Sequence, residues 1–158
     1  MVWLRRVAGM VALTTYLVMG AMLYFTVLPG AGGLWPPDFH LRGYDVASIT
    51  PFVMMLSDEA RQTYGAVLMT WDRVFIASLA AWVIAMGWRG GWMRWAVAFL
   101  AVVYAAVDLS ENAAIYRFVS QSLLDARLVD AAHHLTMAKF SALYLCLLVL
   151  IVHLRRTA

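Results

Sequence analysis

The chain has 158 residues, of which 64% are hydrophobic and 13% are charged, and its mean hydropathy is +0.76. Soluble domains are closer to half apolar and a quarter charged, so this composition excludes an ordinary soluble globule and a disordered chain. The net charge is +3, but the 12 basic residues are spread along the chain, which argues against nucleic-acid binding. The composition therefore predicts an integral membrane protein.

Four apolar stretches are long enough to cross the hydrocarbon core of a bilayer, which requires about 20 residues. They cover residues 7–28, 67–88, 92–115 and 131–153. The first stretch follows two arginines but is longer than the roughly 7–15 apolar residues of a signal peptide, so we expect it to be retained as a span. The sequence therefore predicts an all-α, antiparallel four-helix membrane bundle that forms a single transmembrane domain over residues 1–158.

Charges at the ends of the spans predict the orientation of this bundle. One set of span ends carries six arginines and no acidic residue, namely Arg5, Arg6, Arg89, Arg94, Arg155 and Arg156. The opposite ends carry acidic residues mixed with basic ones, namely Asp38, Asp45, Asp58, Glu59, Asp125 and Asp130 with Arg42, Arg61 and Arg127. Because positively charged segments stay on the cytoplasmic side, we expect both termini to be cytoplasmic.

The extracytoplasmic loop over residues 29–66 is long for a connection without secondary structure. Thr50-Pro51 is typical of a helix start, with an N-cap followed by proline, and predicts a short apolar helix over Phe52–Leu56 in the outer membrane interface. Ser57-Asp58-Glu59 indicates a second helix start, because a capping serine precedes two acidic first-turn residues. We expect that helix to continue through Tyr64 into the second span.

Charged residues inside the spans carry the strongest functional signal. Asp72 and Arg73 lie in the second span, Asp108 and Glu111 in the third, and Lys139 in the fourth. At about 1.5 Å per residue they lie at similar depths, roughly 8–14 Å below the outer boundary. An ionised side chain in hydrocarbon costs at least about 2.5–3.5 kcal/mol, so we expect all five to face inward and meet in one buried layer. With three acids and two bases, one acid is left over and should hold a proton.

Helix geometry adds neighbours to this layer, since Tyr104, Asp108, Glu111 and Asn112 share one face of the third span. The candidate ligand-binding residues are Asp72, Arg73, Asp108, Glu111, Asn112, His133, His134 and Lys139, and the candidate catalytic residues among them are Asp108, Glu111 and Lys139. The adjacent histidines point about 100° apart on a helix and are poorly placed to chelate one ion together. We therefore predict no metal and no cofactor, and we interpret the lone Cys146 as a buried hydrophobic residue.

Three interpretations of the layer stay open. The charges are structural if Lys139 bridges Asp72 and Asp108 and so fixes the helix register. They are functional if a polar pocket opens outward between spans two, three and four, with Glu111 and Asn112 at its mouth, and binds a lipid head group or a small polar ligand. They belong to a homo-oligomer interface if a second subunit neutralises them. Arg73 has an interpretation of its own, because a long side chain near a span end can extend to the membrane surface.

Two function classes follow from these interpretations. The first is a membrane binding or scaffold protein whose partners are membrane lipids and possibly a second copy of the chain. The alternative is a membrane-embedded enzyme in which a protonated Asp108 or Glu111 acts as general acid/base on a lipid-like substrate, with Lys139 stabilising negative charge. The enzyme requires a lateral opening for an acyl chain. A permeation pathway is not predicted, because Leu145 to Val152 is apolar throughout.

Three segments of the chain together resemble an uncharacterised family of small four-span membrane proteins, mostly bacterial. The first segment leads from Gly43-Tyr44 through Arg61 and Tyr64 to Asp72. The second is Asp108-Leu109-Ser110-Glu111-Asn112, a D-x-x-E-N pattern, and the third is Leu135–Lys139. The resemblance covers roughly residues 38–148 and implies the four-span fold and the polar positions, but no activity. We expect the chain to lie in the inner membrane of a bacterium. The chain departs from the family pattern around Thr50-Pro51 and Met54-Met55, where the family is more acidic and richer in alanine.

Overall fold

The computed structural model describes residues 2–121 and 124–157. It contains five helices: α1 (Val2–Gly30), α2 (Val46–Met55), α3 (Asp58–Gly87), α4 (Met93–Gln121) and α5 (Ala126–Arg156). All except α2 are long and apolar enough to cross a membrane, and no strand occurs in the described residues. The predicted all-α bundle of four long apolar helices is confirmed.

The long helices extend beyond the apolar stretches at the loop end of the bundle. The start of α3 at Asp58 is capped by the Ser57 side chain, which accepts a hydrogen bond of 3.2 Å from the Ala60 amide, and the helix continues without interruption into the second span as predicted. The connection from α4 to α5 is shorter than residues 117–130, and residues 122 and 123 of it lie outside the described residues. Hydropathy marks only the part of a helix that suits lipid, whereas caps set where the helix itself ends.

The predicted start of the loop helix at Thr50-Pro51 is wrong, because α2 already begins at Val46. Asp45 and Ser48 form a reciprocal capping box in which each side chain accepts the other's backbone N–H, at 2.8 and 2.9 Å. This box satisfies two amides at once and outweighs the Thr-Pro signal. Pro51 is tolerated inside α2 because it and Ala47, whose carbonyl its amide would have served, are both exposed to solvent.

Two apolar cores divide the bundle. The loop-end core joins α2 and the outer halves of the long helices, and its buried members include Ile49, Phe52, Val53, Tyr64, Leu68, Ile115, Phe118 and Val119. The core at the opposite end, here called the basic end because of its six arginines, is built from Ala80, Val83, Val97, Ala101, Cys146 and Leu150. The loop between α1 and α3 is thus a packed layer that closes one end of the bundle.

A single arginine, Arg61, ties this loop layer to the ends of two helices. The Arg61 guanidinium donates to the Val119 carbonyl at the end of α4 and to the carbonyls of Val53 and Leu56 at the end of α2, at 3.1 and 3.3 Å for the last two. The sequence pattern counted Arg61 only as a loop charge. Helix ends leave carbonyls without intrahelical partners, and Arg61 satisfies them in two helices together.

Candidate functional site

The charged side chains of α3, α4 and α5 meet between the two apolar cores. Lys139 Nζ lies 2.5 Å from Glu111 Oε2 and 3.5 Å from Asp108 Oδ1, and the Asn112 amide donates to Asp72 Oδ2 at 2.7 Å. We call Asp72, Asp108, Glu111, Asn112 and Lys139 the charge cluster. The expected contact of Lys139 with Asp108 is present, whereas Asp72 pairs with Asn112 instead of Lys139.

Local helix geometry explains this convergence. Positions 108, 111 and 112 follow the three- and four-residue spacing of one helix face, as predicted. On α3 the wide π-helical turn Val67–Trp71 immediately precedes Asp72, and such turns add a residue to the helix and are common at functional sites. Lys139 Nζ also lies 5.2 Å from the centre of the Phe140 ring, whose face attracts cations.

The cluster lies near mid-length of its helices, with three members buried and with Asp72 and Lys139 half-buried. Glu111 is 0% exposed, Asn112 1% and Asp108 3%, and the Lys139 side chain is 12% exposed. The expectation that Glu111 and Asn112 line an outward mouth is therefore wrong. The helices continue past the predicted span ends, and the loop layer covers the cluster, so a position that seemed close to the surface is internal.

A chain of hydrogen-bonding groups connects the cluster to the loop. Thr136 Oγ1 lies 2.5 Å from Glu111 Oε1 and 3.5 Å from the Tyr44 hydroxyl. Burial raises the pKa of Tyr44, so its hydroxyl stays protonated and can donate to Thr136 while Thr136 donates to Glu111. The outer end of this chain is held by the Tyr44 amide, which donates to His133 Nδ1 at 3.1 Å.

Gly43 makes this anchor possible. It has a φ of +84°, which suits glycine, and a Cβ atom at this position would overlap the His133 ring. The backbone therefore approaches the ring closely enough for the next amide to reach Nδ1. His133 thus anchors Tyr44 by accepting a hydrogen bond from the loop backbone.

A further carboxylate lies close to the cluster. Asp38, in the short 3₁₀ turn Pro37–Phe39, accepts a hydrogen bond of 2.7 Å from the hydroxyl of the fully buried Tyr64. Tyr64 is a member of the loop-end core, so Asp38 is tied to the layer that covers the cluster. The sequence pattern placed Asp38 among the loop charges, so this acid was missed.

Two predicted members lie outside the cluster. Arg73 is exposed and contacts Met69 Sδ at 3.5 Å, so its placement in the buried layer is corrected. On the helix it points about 100° away from Asp72, and its long side chain is free to extend along the surface. His134 is likewise exposed and lies 3.6 Å from Asp130, one turn away on the same surface of α5.

Without Arg73, the balance of charge in the cluster is three carboxylates against one ammonium group. Three buried acceptor atoms have no hydrogen bond within the described residues, namely Asp108 Oδ1, Glu111 Oε2 and Asn112 Oδ1. The first two face the Lys139 ammonium as ion pairs, whereas Asn112 Oδ1 has no such neighbour. The cluster therefore holds two more acidic groups than cations, and the Asn112 oxygen lacks a donor.

The sequence held a signal for some of the neighbours that were missed. Thr136 lies three residues before Lys139 and therefore on the same helix face. Tyr44 and Asp38 are reached only through the tertiary fold of the loop, for which local spacing gives no rule. The residues that carry the family resemblance in the loop segment, Gly43, Tyr44, Arg61 and Tyr64, all lie in the layer above the cluster.

Comparison with family models, with curated proteins and with solved structures gave no match. Residues 2–121 and 124–157 contain no group of three or more His, Cys, Asp or Glu side chains placed to hold a metal ion. The charge cluster is therefore the feature of this chain from which a function can be inferred.

Proposed function

We propose that this chain is a multi-pass membrane binding protein whose charge cluster holds a small, positively charged ligand that donates hydrogen bonds, such as a primary ammonium group. The observation that carries the proposal is that the cluster holds three carboxyl groups, two of them buried, and the Asn112 oxygen, but only the single ammonium of Lys139. Buried charges need partners, and unpaired acceptors are costly. A cationic donor would satisfy both needs.

The proposed location is a bacterial inner membrane with both termini in the cytoplasm, and the proposed family is that of the small four-span proteins resembled above. Four helices of sufficient length and hydropathy support insertion. Six arginines at the basic end, without an acidic residue beside them, support the orientation.

Burial of the cluster favours a small ligand over a lipid head group. Glu111 is fully buried, and the loop layer with Tyr44 covers the side from which a head group would enter. A compact cation would displace fewer of these packed side chains than a head group, and the Tyr44 hydroxyl has only a 3.5 Å contact with Thr136 to give up. The same burial argues against the catalytic hypothesis, since an acyl chain beside Asp108 or Glu111 would require a wide lateral opening.

The apolar core at the basic end supports binding rather than permeation. Beyond Tyr104, which lies beside Asp108, the interior is lined by Val97, Ala101, Cys146 and Leu150. A cation among these four side chains would lose the polar partners of the cluster without gaining new ones from them. The polar chain from Tyr44 therefore ends at the cluster.

The test is thermal unfolding of the detergent-purified protein in methylammonium, tetramethylammonium or sodium chloride at equal ionic strength. Methylammonium donates hydrogen bonds and tetramethylammonium does not, so only the first is expected to raise the unfolding temperature. A ligand at 100 times its Kd stabilises by about 2.7 kcal/mol.

The matched variants are Glu111→Gln in the cluster and Glu59→Gln on the exposed first turn of α3. Glu111→Gln should abolish the methylammonium effect, and Glu59→Gln should keep it. Equal effects of the three salts on the wild-type protein would refute the proposed ligand class.

A further inference from the structure

A groove outside the charge cluster runs along the contact of α1 and α3 at the basic end. The part nearer the N-terminus, about 490 Å³, is bordered by Arg5 and Arg6. The part nearer the middle of the bundle, about 420 Å³, continues toward Tyr16 and Phe75. The two parts share Gly9, Leu13 and Trp82, so they form one continuous surface.

The groove is apolar along its length and cationic at one end. Gly9 forms its floor, because a Cβ atom there would lie 2.9 Å from the Trp82 indole ring. Met10, Leu13 and Tyr16 line it while remaining 69%, 61% and 59% exposed.

At the rim, the buried Arg5 Nε has no hydrogen-bond partner in the described part of the chain. No acidic residue occurs among the first 37 residues or among residues 73–107, so neither helix supplies a carboxylate for these arginines. The charge of Arg5 and Arg6 would therefore be balanced by an anionic group from outside the chain.

The dimensions of the groove match one leaflet of a bilayer. From Arg6 to Tyr16 the helix rises about 15 Å, which is half of a hydrocarbon core of about 30 Å. An acyl chain lying along Leu13 and Trp82 would therefore bring its head group to the level of the arginines. Basic pockets between membrane helices bind anionic head groups in this way.

We propose that this groove is a binding site for one anionic phospholipid, whose phosphate contacts Arg5 and Arg6 and whose acyl chain lies against Gly9, Leu13 and Trp82. The inference rests on the membrane location proposed above but is independent of the ligand of the charge cluster. A second copy of this chain is the competing occupant of the same apolar surface.

The test is native mass spectrometry of the detergent-purified protein incubated with equal amounts of phosphatidylglycerol and phosphatidylcholine that carry identical acyl chains. The wild-type protein should retain one phosphatidylglycerol in preference to phosphatidylcholine by about tenfold or more, since each arginine near an anionic group adds several-fold in affinity. Equal retention of the two lipids, or the mass of a second chain in place of lipid, would overturn the proposal.

Two matched variants separate the groove from general basic charge. R5Q/R6Q should lose the preference for phosphatidylglycerol, whereas R155Q/R156Q, which removes the same charge from the end of α5, should retain it. Leu13→Trp fills the groove with both arginines intact and should lower the retention of phosphatidylglycerol. Equal losses in the two arginine pairs would refute the site.

The methylammonium response of the same samples reports on the charge cluster. If methylammonium does not stabilise the wild-type protein but phosphatidylglycerol is still preferred, only the proposed cluster ligand is contradicted. If methylammonium stabilises the protein but phosphatidylglycerol is not preferred, only the lipid groove is contradicted.

Discussion

At the scale of single residues, Lys139 supplies the positive charge of the charge cluster. It faces both Glu111 and Asp108, and the described part of the chain places no second cation in the cluster. Removing one partner of a buried ion pair leaves the other charge without compensation, which is more costly than never having formed the pair.

We therefore expect Lys139→Met to destabilise the protein by about 3–5 kcal/mol, measured as the free energy of unfolding in detergent. Arg73→Met, which removes a neighbouring but exposed cation, is the control and should change stability by less than about 0.5 kcal/mol. Similar losses in both variants would mean that the cluster does not depend on its buried ammonium group.

Because its hydroxyl is buried, Tyr44 is expected to lower the stability of the folded protein at alkaline pH. Burial raises its pKa above the ordinary value of 10.0, so the folded state holds the proton that the unfolded state releases. Its contribution is fully present below pH 10 and declines as the pH rises above that value. Tyr44→Phe should show a smaller loss of stability above pH 10 than the wild-type protein, with the exposed Tyr24→Phe as control. Identical alkaline profiles of Tyr44→Phe and the wild type would contradict this role.

The cluster shows how far local rules reach at this scale. The face of α4 was predictable because spacing along a helix fixes direction, whereas Lys139 was placed with Asp108 and Glu111 by its depth and by the cost of an unpaired charge in hydrocarbon. Arg73 was misplaced because depth along a span says nothing about which side of the helix a residue occupies. Asp38 and Tyr44 required the fold of the loop.

At the scale of elements, Arg61 joins the short helix α2 to the end of α4. The last carbonyls of α2 and that of Val119 share one guanidinium. Hydrogen bonds to charged groups contribute about 1.5–3 kcal/mol each. We expect Arg61→Met to increase amide hydrogen exchange across Val46–Met55 at least tenfold, and the exposed Arg42→Met to leave it unchanged. Unchanged exchange in both variants would show that α2 docks by apolar contact alone.

The capping box at the start of α2 affects the pKa of the Asp45 carboxyl, which can be measured on its own. Hydrogen bonds from Ser48 lower the pKa of Asp45, so the charged cap persists below its ordinary value of 3.8. Its stabilising contribution is present above that value and is lost as the pH falls through the lowered pKa. In Ser48→Ala the pKa of Asp45, followed by carboxyl NMR, should rise toward 3.8. An unchanged pKa would mean that the capping box is not the cause.

Elements were predictable from sequence where one signal acted alone. The restart at Ser57 and the four long helices follow from a cap and from hydropathy, respectively. Thr50-Pro51 misled because a stronger reciprocal cap lies five residues earlier, and proline is tolerated where water reaches the carbonyl that it leaves free.

At the scale of the whole molecule, a charged layer separates two apolar cores. Exchanging a buried ion pair for well-packed apolar residues of similar volume is often neutral or stabilising by about 1–4 kcal/mol. We expect the combined variant Asp108→Leu, Glu111→Met, Lys139→Met to unfold at or above the wild-type temperature while losing any response to methylammonium. A retained response would show that the ligand binds elsewhere.

The wide turn Val67–Trp71 has a consequence for insertions and deletions. It accommodates one more residue than a regular helix, so the two halves of α3 differ in phase by one position. Each half therefore keeps its own partners, the loop layer on one side and the bundle on the other. Deleting one residue within this turn would restore a uniform helix and leave Asp72 facing Asn112, because the turn already absorbs the extra residue. A further residue inserted between Tyr64 and Asp72 with regular helix geometry would instead rotate Asp72 by about 100° and separate it from Asn112.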